Sequence, residues 1–185
     1  SGLKVLYTPL NGTGNKPVRR VLKKLGVNEL QVVKSQEKPD GNFPTCPYPN
    51  PEIRQVFEEG LKMTEDFPAD IMIATDPDCD RIGAGVKHDG KYVLVTGNQM
   101  GALLVNFVLT MRKASLSEKS TIIKTIVTSE LGANIGRAFG LQVEDTLTGF
   151  KYIGDKINKY EASGEREFVI GYEESYGYLC GIVGI

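Results

Sequence analysis

Short β-rich apolar runs alternate with helix-patterned stretches along the whole chain, and that order leaves few folds open. The runs cover residues 3–7, 31–34, 69–75, 121–127, 141–145 and 167–170. A strand, helix, strand order needs crossover connections, and crossovers build mainly parallel sheets covered by helices. One pair of runs departs from this: 85–88 and 91–95 flank Asp89-Gly90, a two-residue hairpin signal that adds antiparallel strands. The sequence therefore predicts an α/β fold made of two consecutive three-layer α/β/α units with mixed sheets. The units are expected to span residues 1–98 and 99–185, and no sequence repeat relates them.

Helix signals fill the gaps. Pro17 opens a helix through Leu25, with Gly26 as its stop. Residues 39–50 are rich in Pro, Gly and Asn and read as loop, after which Asn50 is expected to cap a helix starting at Pro51. Ile53, Val56, Phe57, Gly60 and Leu61 share one face of that helix. Residues 99–112 form a largely apolar helix, and Ser129 caps a helix over 130–139 that stops at Gly140. The last helix covers 151–162, with Ile153, Ile157 and Tyr160 inward.

Composition narrows the function classes. With 22 basic and 23 acidic residues and no basic run, nothing marks nucleic acid or an anionic membrane as a partner. The longest apolar stretch, 101–111, is too short to span a bilayer, and no signal peptide is visible. Cys46, Cys79 and Cys180 are odd in number and lack metal-ligand spacing, which suits reduced thiols in a cytoplasmic protein. Ser1-Gly2 reads as a cloning scar, and the uncapped end at 181–185 reads as the edge of a longer polypeptide.

The chemistry sits in three loops at expected strand tips. The first is Asp76-Pro77-Asp78-Cys79-Asp80-Arg81, in which three carboxylates alternate directly after a buried run. Such carboxylates repel one another unless a cation lies among them, and a hard divalent ion with oxygen ligands fits. Pro77 stiffens the loop, and Arg81 offers a fork of donors suited to phosphate. A solvated turn would need neither the third Asp nor the preceding strand. An EF-hand needs Gly and Glu where Arg81 and Lys87 stand, so that geometry fails. A phosphatase with Asp76 as nucleophile remains open, although Asp80 departs from its pattern. The second loop, Thr146–Lys151 in sequence Thr-Leu-Thr-Gly-Phe-Lys, contains a lysine able to bind phosphate or move a proton. The third is Gly-Tyr-Glu-Glu-Ser-Tyr-Gly at 171–177, whose carboxylates and hydroxyl suit a polyhydroxylated ligand.

Together Asp76–Arg81, Thr148-Gly149-Phe150-Lys151 and the 171–177 loop resemble three signature loops of the α-D-phosphohexomutases, the phosphoglucomutases and phosphomannomutases. Their order and spacing fit across nearly the whole chain. The resemblance implies a four-domain enzyme of which this is the second domain and most of the third. It implies Mg2+ on Asp76, Asp78 and Asp80, with Arg81 against the phosphoserine or transferring phosphate. Glu173 and Ser175 would bind sugar hydroxyls, Thr148 and Gly149 would line the substrate, and Lys151 would be a general acid/base or phosphate contact. A sugar phosphate is the implied substrate, and glucose 1,6-bisphosphate the activator and intermediate. The family's phosphorylated serine and its fourth-domain phosphate loop have no match here, so the fragment alone is expected to be inactive. The Asn11–Lys16 segment, glycine-rich but without P-loop spacing, reads as strand-to-helix turn chemistry. The Glu173-Glu174-Ser175 run resembles glucose-directed members, whereas Tyr172, Tyr176 and Tyr178 resemble the subgroup containing phosphopentomutases, leaving a pentose phosphate as the alternative.

Overall fold

The position of β1 (Lys4–Thr8) between two parallel partners organises the first unit. The computed structural model describes residues 2–181, and the chain divides into two units that meet between Val95 and Thr96. In the first unit β1 is followed by α1 (Asn15–Lys24), β2 (Glu29–Val32), a 3-10 turn at Arg54–Phe57 running into α2 (Glu58–Met63), β3 (Ile71–Thr75), β4 (Ile82–His88) and β5 (Lys91–Val95). The sheet order is β2-β1-β3-β4-β5. β1 runs parallel to both β2 and β3, and β4 and β5 add antiparallel edges. The chain steps from β1 to β2, then back across β1 to β3. Right-handed crossovers in opposite directions put the two connections on opposite faces. Leu6, Met72 and Ala74 accordingly pack with Val56 and Phe57 of the second connection, while the alternating residues Val5 and Tyr7 are buried on the other face.

The second unit repeats this topology without repeating the sequence. It comprises α3 (Gly97–Met111), β6 (Ser120–Thr125), α4 (Glu130–Ala138), β7 (Gln142–Thr146), α5 (Phe150–Ser163), β8 (Glu167–Glu173) and β9 (Gly177–Cys180). The sheet order is β7-β6-β8-β9, parallel except for the β8–β9 hairpin. Adjacent residues of β6 show the layering. Ile122 joins Val105 and Leu109 of α3 on one face, and Ile123 joins Ile153 and Tyr160 of α5 on the other. Each unit is thus an α/β structure around a mixed sheet, in agreement with the fold read from the sequence.

Several boundaries differ from expectation for local reasons. The second strand occupies Glu29–Val32 rather than 31–34, because parallel pairing with β1 aligns Lys4 with Glu29 and Tyr7 with Val32. No helix starts at Pro51. The Asn50 side chain instead accepts the Glu52 N–H at 3.0 Å in a local turn, and helix begins only through the 3-10 turn at Arg54. β3 starts at Ile71 rather than 69, after a turn in which the Ala69 N–H donates to the Phe67 carbonyl. α3 starts at Gly97 rather than 99, because Thr96 and Gln99 form a reciprocal capping box. The run expected to extend through Val127 ends at Thr125, where a turn closes from the Thr128 N–H to the Thr125 carbonyl. Ile126 and Val127 are left exposed. β8 continues past 170 to Glu173 because it pairs with β9, a strand the sequence did not announce. Asp89 and Gly90 form the expected hairpin turn, both with positive φ. Ser1 and the expected chain edge from 182 onward lie outside the described residues. Among the described residues no helix is long and apolar enough to cross a membrane.

Candidate functional site

In open α/β sheets, ligands gather outside the carboxyl ends of the strands, where neighbouring connections diverge. In the first unit that point lies between β1 and β3, and the Asp76–Arg81 loop leaves the sheet there. Asp76, Asp78 and Asp80 each present a carboxylate oxygen, and these oxygens all lie within 4.8 Å of one another. Asp76 is only 9% exposed, while Asp78 and Asp80 face solvent. The loop is closed by the Arg81 N–H, which donates to Asp76 Oδ1 at 3.0 Å, and by the Cys79 N–H, which donates to the Asp76 carbonyl at 3.1 Å. Cys79 itself has φ +67°, a left-handed turn that brings Asp78 and Asp80 back toward Asp76.

Electrostatics makes this cluster costly by itself. Burial first, then the neighbouring carboxylates of Asp78 and Asp80, push the Asp76 carboxyl up to about 6 against the pull of the Arg81 N–H. Three oxygen donors at this spacing match the preference of a hard divalent cation. The Arg81 guanidinium lies 3.9 Å from both Glu52 Oε1 and Asp80 Oδ1 and is 42% exposed, so it is held near the cluster and still free to meet an anion.

The loop is braced from behind by the β1–α1 connection. The Thr13 N–H and hydroxyl both donate to the Pro77 carbonyl, at 2.8 and 3.1 Å. At the strand ends beneath, the Tyr7 and Thr75 hydroxyls bond at 2.8 Å, and burial pushes the Tyr7 phenol up to about 12.

In the second unit the loops after β7 and β8 leave the same edge of the sheet. Thr148 is exposed, Gly149 directly precedes α5, and Lys151 lies in the first turn of that helix. Lys151 Nζ is exposed and stands 4.9 Å from the centroid of the Tyr152 ring. Glu173 ends β8 opposite Gly177, so Glu174-Ser175-Tyr176 form a three-residue hairpin loop closed by a left-handed Tyr176 at φ +66°. The Phe150 ring, at the start of α5, lies against Gly177 and so joins the two loops. Glu173 Oε2 is shielded from solvent and has no hydrogen-bond partner among the described residues. Tyr172 is 1% exposed within the core under α3 and α4, and the Tyr178 hydroxyl donates to the Gly97 carbonyl at 3.0 Å. These aromatic residues build the scaffold of the loop rather than its outer surface.

Lys124 escaped sequence reading, and so did the partners of Glu174. Lys124, in β6, is fully buried and pairs with Glu130 at 2.8 Å and Asp145 at 2.9 Å. It also donates to the carbonyls of Thr125 and Thr128 at 3.3 and 3.2 Å. Burial presses its pKa down, but the Glu130 and Asp145 carboxylates more than offset this and hold it above the usual lysine value. Glu174, in the hairpin loop, is turned toward the hydroxyls of Thr125 and Thr128. A lysine inside the β-rich run at 121–127 was the available signal for the first; for the second the sequence offered the carboxylate but not its partners.

Comparison with known proteins covers both units. Residues 1–90 match the phosphoglucomutase/phosphomannomutase α/β/α domain II model, and residues 96–183 match the corresponding domain III model. A phosphoglucomutase from Staphylococcus saprophyticus is 37% identical over 181 residues, covering 96% of this chain and 32% of its own length. One from Staphylococcus aureus is 35% identical over 180 residues, covering 97% and 32%. The chain thus spans about a third of the length of the curated relatives it matches. In three dimensions it is similar to a phosphoglucomutase/phosphomannomutase family protein from Burkholderia thailandensis. There the TM-score is 0.75 at 21% identity, over 96% of this chain and 35% of the other. With both units matched in order, the chain belongs to the phosphoglucomutase/phosphomannomutase family and carries its domains II and III.

Proposed function

We propose that this chain is the metal-binding and sugar-binding portion of a phosphosugar mutase that moves phosphate between C1 and C6 of a hexose, with glucose phosphate as its preferred substrate. The observation that carries this reading is the Asp76, Asp78, Asp80 cluster with its oxygens within 4.8 Å and Arg81 alongside. Mg2+ held there would supply Lewis-acid stabilisation of charge on the transferring phosphate. Arg81 would orient that phosphate, and the braced loop would keep both in place, since phosphoryl transfer depends on positioning and charge. In this reading the serine that carries the phosphate, and a further phosphate-binding loop, come from parts of the parent protein beyond these 185 residues. Phosphate would pass from that serine to the sugar monophosphate. The bisphosphate so formed, glucose 1,6-bisphosphate, would turn and return its other phosphate to the serine.

Glu173 and Ser175 would hold the sugar by its hydroxyls. The shielded Glu173 oxygen, without a partner among the described residues, suits a donor brought by the ligand. Thr148, Gly149 and Lys151 would line the same side, Lys151 as phosphate contact or proton carrier. Glucose is the sugar we favour, because the Glu173-Glu174-Ser175 run resembles glucose-directed members, with a pentose phosphate as the alternative.

The test is a coupled mutase assay on the full-length parent and on the 185-residue chain, with glucose, mannose and ribose 1-phosphates, Mg2+ and glucose 1,6-bisphosphate. The parent is expected to turn over glucose 1-phosphate with the highest kcat/KM, and the chain alone to give background. Glu173→Gln in the parent should lower kcat/KM for glucose 1-phosphate by roughly tenfold or more, the scale of a lost charged hydrogen bond. A parent without mutase turnover would refute the reading. Phosphoenzyme trapped on Asp76 would replace it with a phosphatase.

A further inference from the structure

The hairpin loop of the second unit carries two adjacent glutamates, and the structure gives them different surroundings. Glu173 has a carboxylate oxygen without a partner among the described residues. Glu174 Oε2, by contrast, lies 3.2 Å from the Thr125 hydroxyl and 3.0 Å from the Thr128 hydroxyl, and those hydroxyls are 2.6 Å apart. Each hydroxyl has one proton, so not all three contacts can be hydrogen bonds at once. The arrangement that keeps the two shortest contacts bonded is a chain: Thr125 donates to Thr128 at 2.6 Å, and Thr128 donates to the Glu174 carboxylate at 3.0 Å. That last bond is charge-assisted and therefore the strong one.

The turn that offers these hydroxyls is itself anchored. The buried Lys124 ammonium donates to the carbonyls of Thr125 and Thr128 and is locked between Glu130 and Asp145. The Glu174 backbone is fixed from the other side. The first residue of α3, Gly97, packs so tightly against the Glu174 carbonyl that a Cβ there would overlap it. The next residue, Asn98, accepts the Ser129 N–H at 2.8 Å and ties α3 to the same turn.

We infer that Glu174 is a positioning residue: through Thr128 it clamps the hairpin loop to the Lys124-anchored turn and so sets the directions of Glu173 and Ser175, without touching the sugar. This rests on the mutase reading above for its functional readout. The Gly97 contact holds the backbone of the loop, and a carboxylate seated on buried hydroxyls ties its side-chain end to the turn.

The experiment uses the full-length parent and compares Glu174→Ala, Glu174→Gln, Thr128→Val, Thr128→Ser and the double variant Glu174→Ala/Thr128→Val. Steady-state kinetics with glucose 1-phosphate and amide hydrogen exchange over residues 173–177 are the readouts. Glu174→Ala and Thr128→Val should each raise KM about tenfold with kcat changed less than about threefold, the scale of one charge-assisted bond. Both should speed exchange in the hairpin. The double variant should be no worse than either single one, because both remove the same bond. Glu174→Gln and Thr128→Ser keep an acceptor and a donor and should recover most of the affinity; they also serve as the folded controls. Effects that multiply in the double variant, or a Thr128→Val enzyme with wild-type KM and exchange, would overturn the inference. So would a Glu174→Ala defect that vanishes on a deoxy-sugar phosphate, since that marks direct sugar contact. A wild-type parent with no turnover defeats the mutase reading instead, and the exchange data on Thr128→Val then decide the clamp by itself.

Discussion

Gly12 and Pro77 approach so closely that a side chain at position 12 has no room: a Cβ there would overlap the Pro77 backbone. Backbone cannot swing aside as a flexible side chain would, so the glycine is a condition for the metal loop to sit where it does. The adjacent Thr13 turns the same contact into a fixed one by donating twice to the Pro77 carbonyl.

Gly12→Ala should therefore displace Pro77 and spread the Asp76, Asp78, Asp80 oxygens. Overpacking of this kind costs about 1–3 kcal/mol. The expected result is a lower melting temperature and a Mg2+ affinity weakened by at least about fivefold in calorimetric titration. Unchanged Mg2+ binding in a destabilised variant would separate the packing role from the metal site.

Metal affinity should follow the protonation of Asp76. Its carboxyl is raised to about 6, and a ligand oxygen must be deprotonated to bind. Titrations of Mg2+ between pH 5 and 8 should show affinity rising through pH 6 and levelling above pH 7. Asp76→Asn, Asp78→Asn and Asp80→Asn should each weaken binding, and three variants with wild-type binding would dismiss the site.

The same carboxyl makes a stability prediction of opposite slope. Because the folded-state value lies above the ordinary 3.8, its contribution is fully present below that value and is lost as pH rises through about 6. The metal-free wild type should thus lose stability relative to Asp76→Asn between pH 4 and pH 7, and Mg2+ at pH 8 should restore it. Thermal melts of the two proteins with and without Mg2+ measure the difference directly.

Lys124→Met tests the buried cation. Glu130 and Asp145 side chains are 55% and 50% exposed, so water can take over much of their partnership when the ammonium is removed. The Thr125 and Thr128 carbonyls lose a donor in a buried place, and the expected loss is about 1–3 kcal/mol. Chemical denaturation should report it as a lower midpoint with an unchanged slope.

Tyr172→Phe should go the other way. The Tyr172 hydroxyl is buried, without a hydrogen-bond partner among the described residues, and burial pushes it up to about 12. Removing an orphaned hydroxyl while keeping the ring is expected to be neutral or stabilising by up to about 1 kcal/mol. A clear drop in melting temperature would show that the hydroxyl has a partner such as an ordered water.

The sequence alone determined the α/β class, the hairpin at Asp89-Gly90 and the three loops, because these rest on local periodicity and turn chemistry. Ile153, Ile157 and Tyr160 share a helix face by spacing, and they pack toward the core in the structure. Boundaries went astray where pairing decided them. β2 is placed by its register with β1, and β8 extends to Glu173 because β9 returns alongside it. The candidate site divides in the same way. Asp76, Asp78 and Asp80 announce themselves by alternate spacing after a buried run. By contrast, the seat of Glu174 depends on Thr125 and Thr128, 49 and 46 residues away, and that of Lys124 on Asp145 at the tip of a neighbouring strand. Only the tertiary structure could decide these, because a buried charge takes whatever partners the sheet order brings to it, and sheet order is set by crossovers between strands rather than by residues near it in the chain.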